Sequence, residues 1–244
     1  MINEEEVQKS YANALRTAKG SGSSCCSPST NEIRIDDILF TDSTTIPSFG
    51  CVKLDEYLKR ELQLGDTVID LGSGAGHDLF IAADLVGSRG KAIGIDFTDE
   101  MVAEVEAYVR EHRIENVLMI KGNIDRIPLA NGIADKIISN CVINLAMDKD
   151  AVFKESFRLL RPGGSLIDAD VISIRPMLES VKNDKSLWCS CIGGALTELE
   201  YRRKLQNTGF GRIDISFVSG SDKTFDATDF GIRSGIIRAQ KLIR

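Results

Sequence analysis

Residues 68–76 read V-I-D-L-G-S-G-A-G, and no other stretch limits what this chain can fold into as much. Val68, Ile69 and Leu71 form a short apolar run suited to a strand buried on both faces, and Gly72, Gly74 and Gly76 break it at once. A strand is expected to end there and a helix to begin. Glycines at such a turn remove Cβ atoms where backbone bends tightly and approaches a ligand, so the turn reads as nucleotide-binding. A dinucleotide turn is spaced G-x-G-x-x-G and points helix amides at a pyrophosphate; here the spacing is G-x-G-x-G and Asp70 stands ahead of it. A carboxylate in that place repels phosphate and can hold a cationic amino group. A second acid, Asp96, ends the next apolar run, twenty residues past Gly76, where it can accept hydrogen bonds from ribose hydroxyls.

Upstream, residues 3–18 place Val7, Tyr11, Ala14, Leu15 and Ala18 on one helical face, with glutamates in the first turn where the helix dipole favours them. Residues 20–30 lack apolar periodicity and read as a flexible loop carrying the vicinal pair Cys25 and Cys26. Cys51 precedes a helix in which Val52, Leu54, Tyr57, Leu58 and Leu62 share a face. Beyond the glycine turn the pattern predicts helix 77–86, strand 91–95 and a helix capped by Thr98 with Met101, Val102, Val105, Tyr108 and Val109 facing inward. Strands 117–120 and 134–139 follow, the second running into Asn140-Cys141-Val142-Ile143-Asn144, then helix 149–160. Residues 161–164, R-P-G-G, read as a turn into strand 165–172.

Such alternation implies a mostly parallel α/β sheet with helices on both faces and ligands at the carboxyl ends of the strands, where both acids and Asn140-Cys141 fall. Residues 177–196, with Trp188, Cys189, Cys191 and a flexible Gly193-Gly194, read as a helical cover over those ends. A helix over 197–207, amphipathic through Leu199 and Leu205, precedes strands near 211–218 and 232–242, expected to pair antiparallel. The domain reading is an N-terminal helix and cysteine-bearing extension over 1–50 and one α/β domain over 51–244, with a covering insertion at 175–196.

A chain of 244 residues suits one such domain. Its net charge of −6 and lack of a basic run argue against nucleic acid and for a small-molecule substrate. No apolar run approaches the ~18 residues of a membrane span and the acidic start is unlike a signal peptide, so the expected location is the cytoplasm. In that reducing compartment the six cysteines read as core residues, metal or metalloid ligands, or redox groups, not as a disulfide frame. Cys25-Cys26 and Cys189-x-Cys191 lack the C-x₂-C spacing of a zinc site. An architecture of this kind brings together Cys51 ahead of the first strand, Cys141 at the tip of the fourth and Cys191 in the cover. Three thiolates suit a soft three-coordinate centre, although each position also fits a small buried apolar residue. His77 and His112 read as structural.

With its leading and following acids, the glycine turn resembles motif I of the class I S-adenosylmethionine-dependent methyltransferases. The runs G-I-D-F-T-D-E-M, I-S-N-C-V-I-N-L and C-I-G-G-A, with S-C-C-S-P upstream, resemble the arsenite methyltransferases over about residues 7–210. The resemblance implies a Rossmann-like, mostly parallel seven-stranded sheet with an antiparallel last strand. It implies S-adenosylmethionine bound by Asp70, Gly72, Gly74, Gly76, Asp96, Phe97, Met101, Asn123, Ile124 and Asn140. It also implies trivalent arsenic as substrate on Cys51, Cys141 and Cys191, its lone pair attacking the S-methyl carbon. Cys25 and Cys26 become a mobile pair that delivers arsenic or exchanges disulfides, with a thiol reductant, glutathione or a thioredoxin-like protein, as co-substrate. The chain departs from the family at Val52-Lys53, where G-N-P usually follows the first ligand cysteine, at Asn123, where an acid is common, and at Cys189, an extra thiol that is either spare or a replacement ligand. Two other readings stay open: the same fold acting on another small nucleophile, an organic thiol or another metalloid, and a non-catalytic arsenite or metal sensor.

Overall fold

The computed structural model describes residues 3–21, 33–34, 45–46, 50, 52–219, 223–225 and 230–243. At its centre, β3 (Thr67–Leu71) pairs in parallel with β4 (Lys91–Asp96) on one side and β6 (Ala134–Asn140) on the other. Outside β4 lies β5 (Val117–Lys121), and outside β6 lies β7 (Leu160–Ser173), both parallel to their neighbours. β11 (Phe230–Gln240) reverses direction against β7, and β9 (Gly211–Phe217) pairs antiparallel with β11. These seven strands are the expected sheet. The short β8 (Leu196–Thr197) and β10 (Lys223–Phe225) add to its β7 and β11 edges, and β1 (Ile33–Arg34) and β2 (Thr45–Ile46) form a separate pair.

Alternation along the strands divides the core in two. Val68, Ile138 and Ile167 face α2 (Asp55–Glu61), α3 (His77–Val86) and α4 (Asp99–His112), packing with Leu58, Leu79 and Phe80. Ile69, Ile137 and Leu166 face α5 (Lys149–Leu159) and α8 (Glu198–Thr208), packing with Phe153, Tyr201 and Leu205. Fully burying one such side chain stabilises by about 1.5–3 kcal/mol, so both layers are strongly held. The helix after β3 goes to one face and the helix after β6 to the other, and the crevice between those strands is where ligands bind in such sheets.

Three local expectations are corrected. Residues 161–164 are not a turn before the strand but part of β7, which begins at Leu160 and absorbs the Pro-Gly-Gly in a register shift against β6 between Ala134 and Lys136. In α8 the buried side chains are Tyr201 and Leu205, four apart on one face, whereas Leu199 is 66% exposed, because two positions before Tyr201 lies on nearly the opposite face of a helix. Gly193-Gly194 is tightly packed rather than loose: a Cβ on Gly194 would stand 1.9 Å from the Asn144 carbonyl oxygen. The glycine there permits close backbone approach between the cover and the sheet.

Candidate active site

At the carboxyl ends of β3 and β6 lies a cleft of about 660 Å³, part of it open to solvent, and a second chamber of about 500 Å³ adjoins it, sharing Val7, Phe97, Val142 and Leu145 as walls. Gly72, with φ of +63°, makes the first bend; a Cβ there would lie 2.4 Å from Val142 Cγ2. The Gly74 amide donates to Asp96 Oδ2 at 3.0 Å and the Thr98 amide to Asp96 Oδ1 at 2.8 Å, so the turn and the start of α4 orient this acid together. Thr98 is the N-cap of α4 as expected, but its side chain makes no capping bond. Met101 and Asn140 also wall the main cleft, and Asn123, Ile124 and Asp125 wall the second chamber. Gly76 is off the cleft wall, at the N-cap of α3 against Phe80.

The cleft is rich in buried acid. Asp70 is 3% exposed and its Oδ2 has no hydrogen-bond partner among the described residues. Burial, then the nearby Asp78 and Asp96, hold its pKa well above the ordinary carboxylate range. Asp78 is raised by burial against the pull of His77, whose Nε2 is 3.9 Å away, and of Asn140, whose Nδ2 donates to it at 2.8 Å. Asp96 is likewise raised by burial, opposed by its backbone bonds. An unpartnered carboxylate oxygen amid like charge accommodates a ligand cation, and the paired lone sites on Asp96 accommodate hydroxyl donors. These residues therefore fit S-adenosylmethionine, with its ammonium, sulfonium and ribose.

One residue beyond Asn140, the chain enters a third cluster, in which Cys141 and Cys191 pack with Val171, Met177 and Val181. Cys141 takes a left-handed backbone, φ 61°, and its amide donates to the Ala169 carbonyl at 2.8 Å. Cys191, at φ 63° after α7 (Lys185–Cys189), donates its thiol to the Cys141 carbonyl at 2.8 Å. Left-handed geometry costs a residue with a Cβ about 1–3 kcal/mol, which the surrounding packing must offset. Cys141 Sγ, Cys191 Sγ and an Asp170 carboxylate oxygen all lie within 4.8 Å of one another, fully buried. Asp170 is held from three directions: by the Asn144 amide (3.0 Å), by Asn144 Nδ2 (2.8 Å) and by the Val171 amide (2.7 Å). Burial still raises it to about 7, against those bonds, Lys149 and the Cys141 thiol. Lys149, 5.1 Å from the Trp188 ring, is lowered to about 8 by burial, opposed by Asp170. Asp168, two residues earlier on the same face, is raised well above its usual range by burial and by Asp170.

The structure thus brings Cys141 and Cys191 together and leaves Cys189 outside their cluster, half-buried beside Ser10 and Lys185 in a surface recess. Cys25, Cys26 and Cys51 lie outside the described residues. Helix α1 (Glu4–Ser21) spans both regions: Gln8 donates to the Phe97 carbonyl at 2.9 Å, Glu4 accepts from Asn123 at 3.2 Å, and Tyr11 Oη stands 3.9 Å from Cys191 Sγ. Reading the sequence missed Tyr11, Asp78, Asp125, Asn144, Lys149 and Asp170 as site residues. Asp168-x-Asp170 inside an otherwise apolar strand was the one available signal, since acids are rarely buried without a task or a partner.

Residues 62–209 match the family described as Methyltransferase domain. The chain is 37% identical to the arsenite methyltransferase of Halobacterium salinarum over 74% of this chain and 48% of that protein. Among solved structures it is similar to an arsenic (III) S-adenosylmethionine methyltransferase from Chlamydomonas reinhardtii, at 26% identity and a TM-score of 0.67, over 97% of this chain and 74% of that one. In fold it is similar to Haemonchus contortus phosphoethanolamine N-methyltransferase 2 in complex with S-adenosyl-L-methionine, at 17% identity and a TM-score of 0.64, over 76% of this chain and 51% of that one. The chain spans about half the length of the curated relatives it matches. The sheet order, the acidic glycine turn and a match over more than half of its residues agree: the chain has the class I S-adenosylmethionine-dependent fold and belongs to the methyltransferase domain family.

Proposed function

We propose that this chain transfers a methyl group from S-adenosylmethionine to trivalent arsenic held on its thiols. The observation that carries the reading is the convergence of Cys141 and Cys191 at the wall of an acidic cleft suited to a sulfonium cofactor, in a chain similar to arsenite methyltransferases. Arsenite binds by exchange: each thiol proton leaves with an arsenic hydroxyl as water while an arsenic–sulfur bond forms. Bound S-adenosylmethionine supplies an electrophilic methyl group whose leaving group is a neutral thioether. Asp70 holds the cofactor's ammonium, Asp96 its ribose hydroxyls, and Phe97, Met101, Asn123 and Ile124 enclose the adenine, with Gly72, Gly74 and Asn140 shaping the methionine end. Cys141 also walls the cleft, so an arsenic atom on it faces the methyl group, which is the positioning an in-line displacement needs. The cover over 175–196 and helix α1 exclude water.

In this reading Cys51 is the third arsenic ligand, Cys25 and Cys26 relay arsenic or exchange disulfides, and Cys189 is a spare thiol. A small thiol such as glutathione, or a thioredoxin-like protein, restores the reduced state. The domain division at residues 50 and 51 and a cytoplasmic location belong to the same proposal; among the described residues no helix is long and apolar enough to cross a membrane. The deciding experiment incubates reduced protein with S-adenosylmethionine, arsenite and excess thiol and follows methylated arsenic by mass detection. Methylated product is expected. Cofactor binding with no such product would move the substrate to another nucleophile or the protein to a sensing role.

A further inference from the structure

Beyond the methyl-transfer reading, and without resting on it, we propose that Cys141, Asp170 and Cys191 form a binding site for a borderline or soft divalent cation, Zn²⁺ or Cd²⁺, through two sulfurs and one carboxylate oxygen. The three donor atoms lie within 4.8 Å of one another and all three residues are buried. Their chain spacing carries no motif; tertiary structure alone makes the set. Thiolate sulfur with a carboxylate oxygen is a donor combination these cations accept, and three protein ligands leave a further position for water or another donor.

The donors are also oriented, which a chance cluster is not. The Cys141 backbone is tied to Ala169, and Asp170 to Asn144 and Val171. Asn144 is in turn held by Tyr201, whose hydroxyl donates to Asn144 Oδ1 at 3.2 Å. Outer-layer bonds of this kind fix ligand orientation in metal sites. Cys141 walls the cleft, which supplies the entry path. The Lys149 ammonium, which interacts with both Asp170 and Cys191, offsets the charge left by two thiolates and a carboxylate around a dication. On binding, each thiol releases its proton to solvent as a metal–sulfur bond forms, and no electron changes hands. The carboxylate separates this site from the proposed arsenic site, whose third ligand is the sulfur of Cys51.

The test uses the full reduced chain carrying Cys25→Ser, Cys26→Ser, Cys51→Ser and Cys189→Ser together, which leaves two thiols. Cadmium chloride is titrated in and followed by thiolate-to-cadmium charge-transfer absorption, and zinc chloride by calorimetry. One cation per chain is expected. Adding Cys191→Ser should abolish binding, Asp170→Asn should weaken it by at least the roughly 10–100-fold that loss of an outer-layer partner costs, and Asp84→Asn, on α3 and outside the cluster, should leave it within about twofold. X-ray absorption at the zinc edge should resolve two sulfurs with oxygen or nitrogen completing the shell, a readout that stands even where Asp170→Asn fails to fold. Absence of saturable binding, full affinity in a folded Asp170→Asn protein, or a shell of sulfur alone would overturn the proposal.

Discussion

The two halves of the site join at Asn140 and Cys141, neighbours in sequence, one a cleft at the glycine turn and the other a cluster beneath the cover. The cleft around Asp70 is open and unsatisfied: a buried carboxylate oxygen lacks a partner among the described residues and two more acids stand close by. Asp170 is buried, and its carboxylate accepts three hydrogen bonds. The first region is built around a charge it does not itself contain, so its stability and its ligand affinity oppose each other. In the second, Asp170 and the Cys191 thiol already have partners, so a ligand must displace internal bonds, beginning with the one the Cys191 thiol donates to the Cys141 carbonyl. The order of expected losses follows from that contrast.

Removing a thiol should do most damage and only on one side. Cys141→Ser or Cys191→Ser is expected to lower arsenite methylation by at least on the order of a hundredfold, since loss of merely an outer-layer partner of a ligand already costs 10–100-fold. Affinity for S-adenosylhomocysteine, measured by calorimetry, should stay within about twofold; full activity in both variants would remove the contrast. Gly72→Ala should strike the other side, because its left-handed backbone and the 2.4 Å approach to Val142 leave no place for a methyl group. A destabilisation of about 1–3 kcal/mol in urea unfolding, with cofactor affinity sharply reduced, is expected.

Asp70→Asn sharpens the comparison through opposite signs. Cofactor affinity should fall on the order of tenfold or more, while the ligand-free protein should gain about 1 kcal/mol near neutral pH, the usual exchange between function and stability. The sign follows from linkage: Asp70 is raised in the folded state, so the folded chain holds a proton that the unfolded chain has already lost. Wild-type stability from this group is therefore present below the ordinary carboxylate pKa and lost as pH rises through the higher folded pKa. The gap between Asp70→Asn and wild type should widen across that interval in denaturation series and close in acid; a gap independent of pH would mean that Asp70 carries no burial penalty. The smallest effect is reserved for Tyr11→Phe, which removes only the hydroxyl near Cys191 and the Cys189 carbonyl. A few-fold fall in kcat for arsenite with cofactor affinity unchanged is expected, and an equal fall in both would make α1 a part of the cofactor cleft alone.

How far the sequence reached differs between the two regions for the same reason. Asp70, Gly72, Gly74 and Asp96, which wall the cleft proposed for the cofactor, sit in or just after two successive strands and so are marked by local spacing, whereas Val7, Tyr11 and Leu145 reach it only through the fold; helix α3 falls at the predicted 77–86. Gly76, read in the same set, packs on Phe80 of its own helix and is not among the residues that wall the cleft. The R-P-G-G run misled because a bulge and a turn draw on the same residues, and only the partner strand decides between them. Leu199 misled because six positions do not return to the same helical face, so Leu205 shares its buried face with Tyr201 instead.

By itself the sequence determined the α/β alternation, the glycine turn with its two acids and the cysteines as candidates, all written in periodicity and short spacing. Only tertiary structure decided that Cys141 and Cys191 meet, that Cys189 does not join them, and that Asp170 does. Those residues come from a strand tip, a covering loop and the middle of another strand, separated by up to fifty positions. Nothing in local chain physics links such distances; the sheet register and the close seat of Gly194 on Asn144 do.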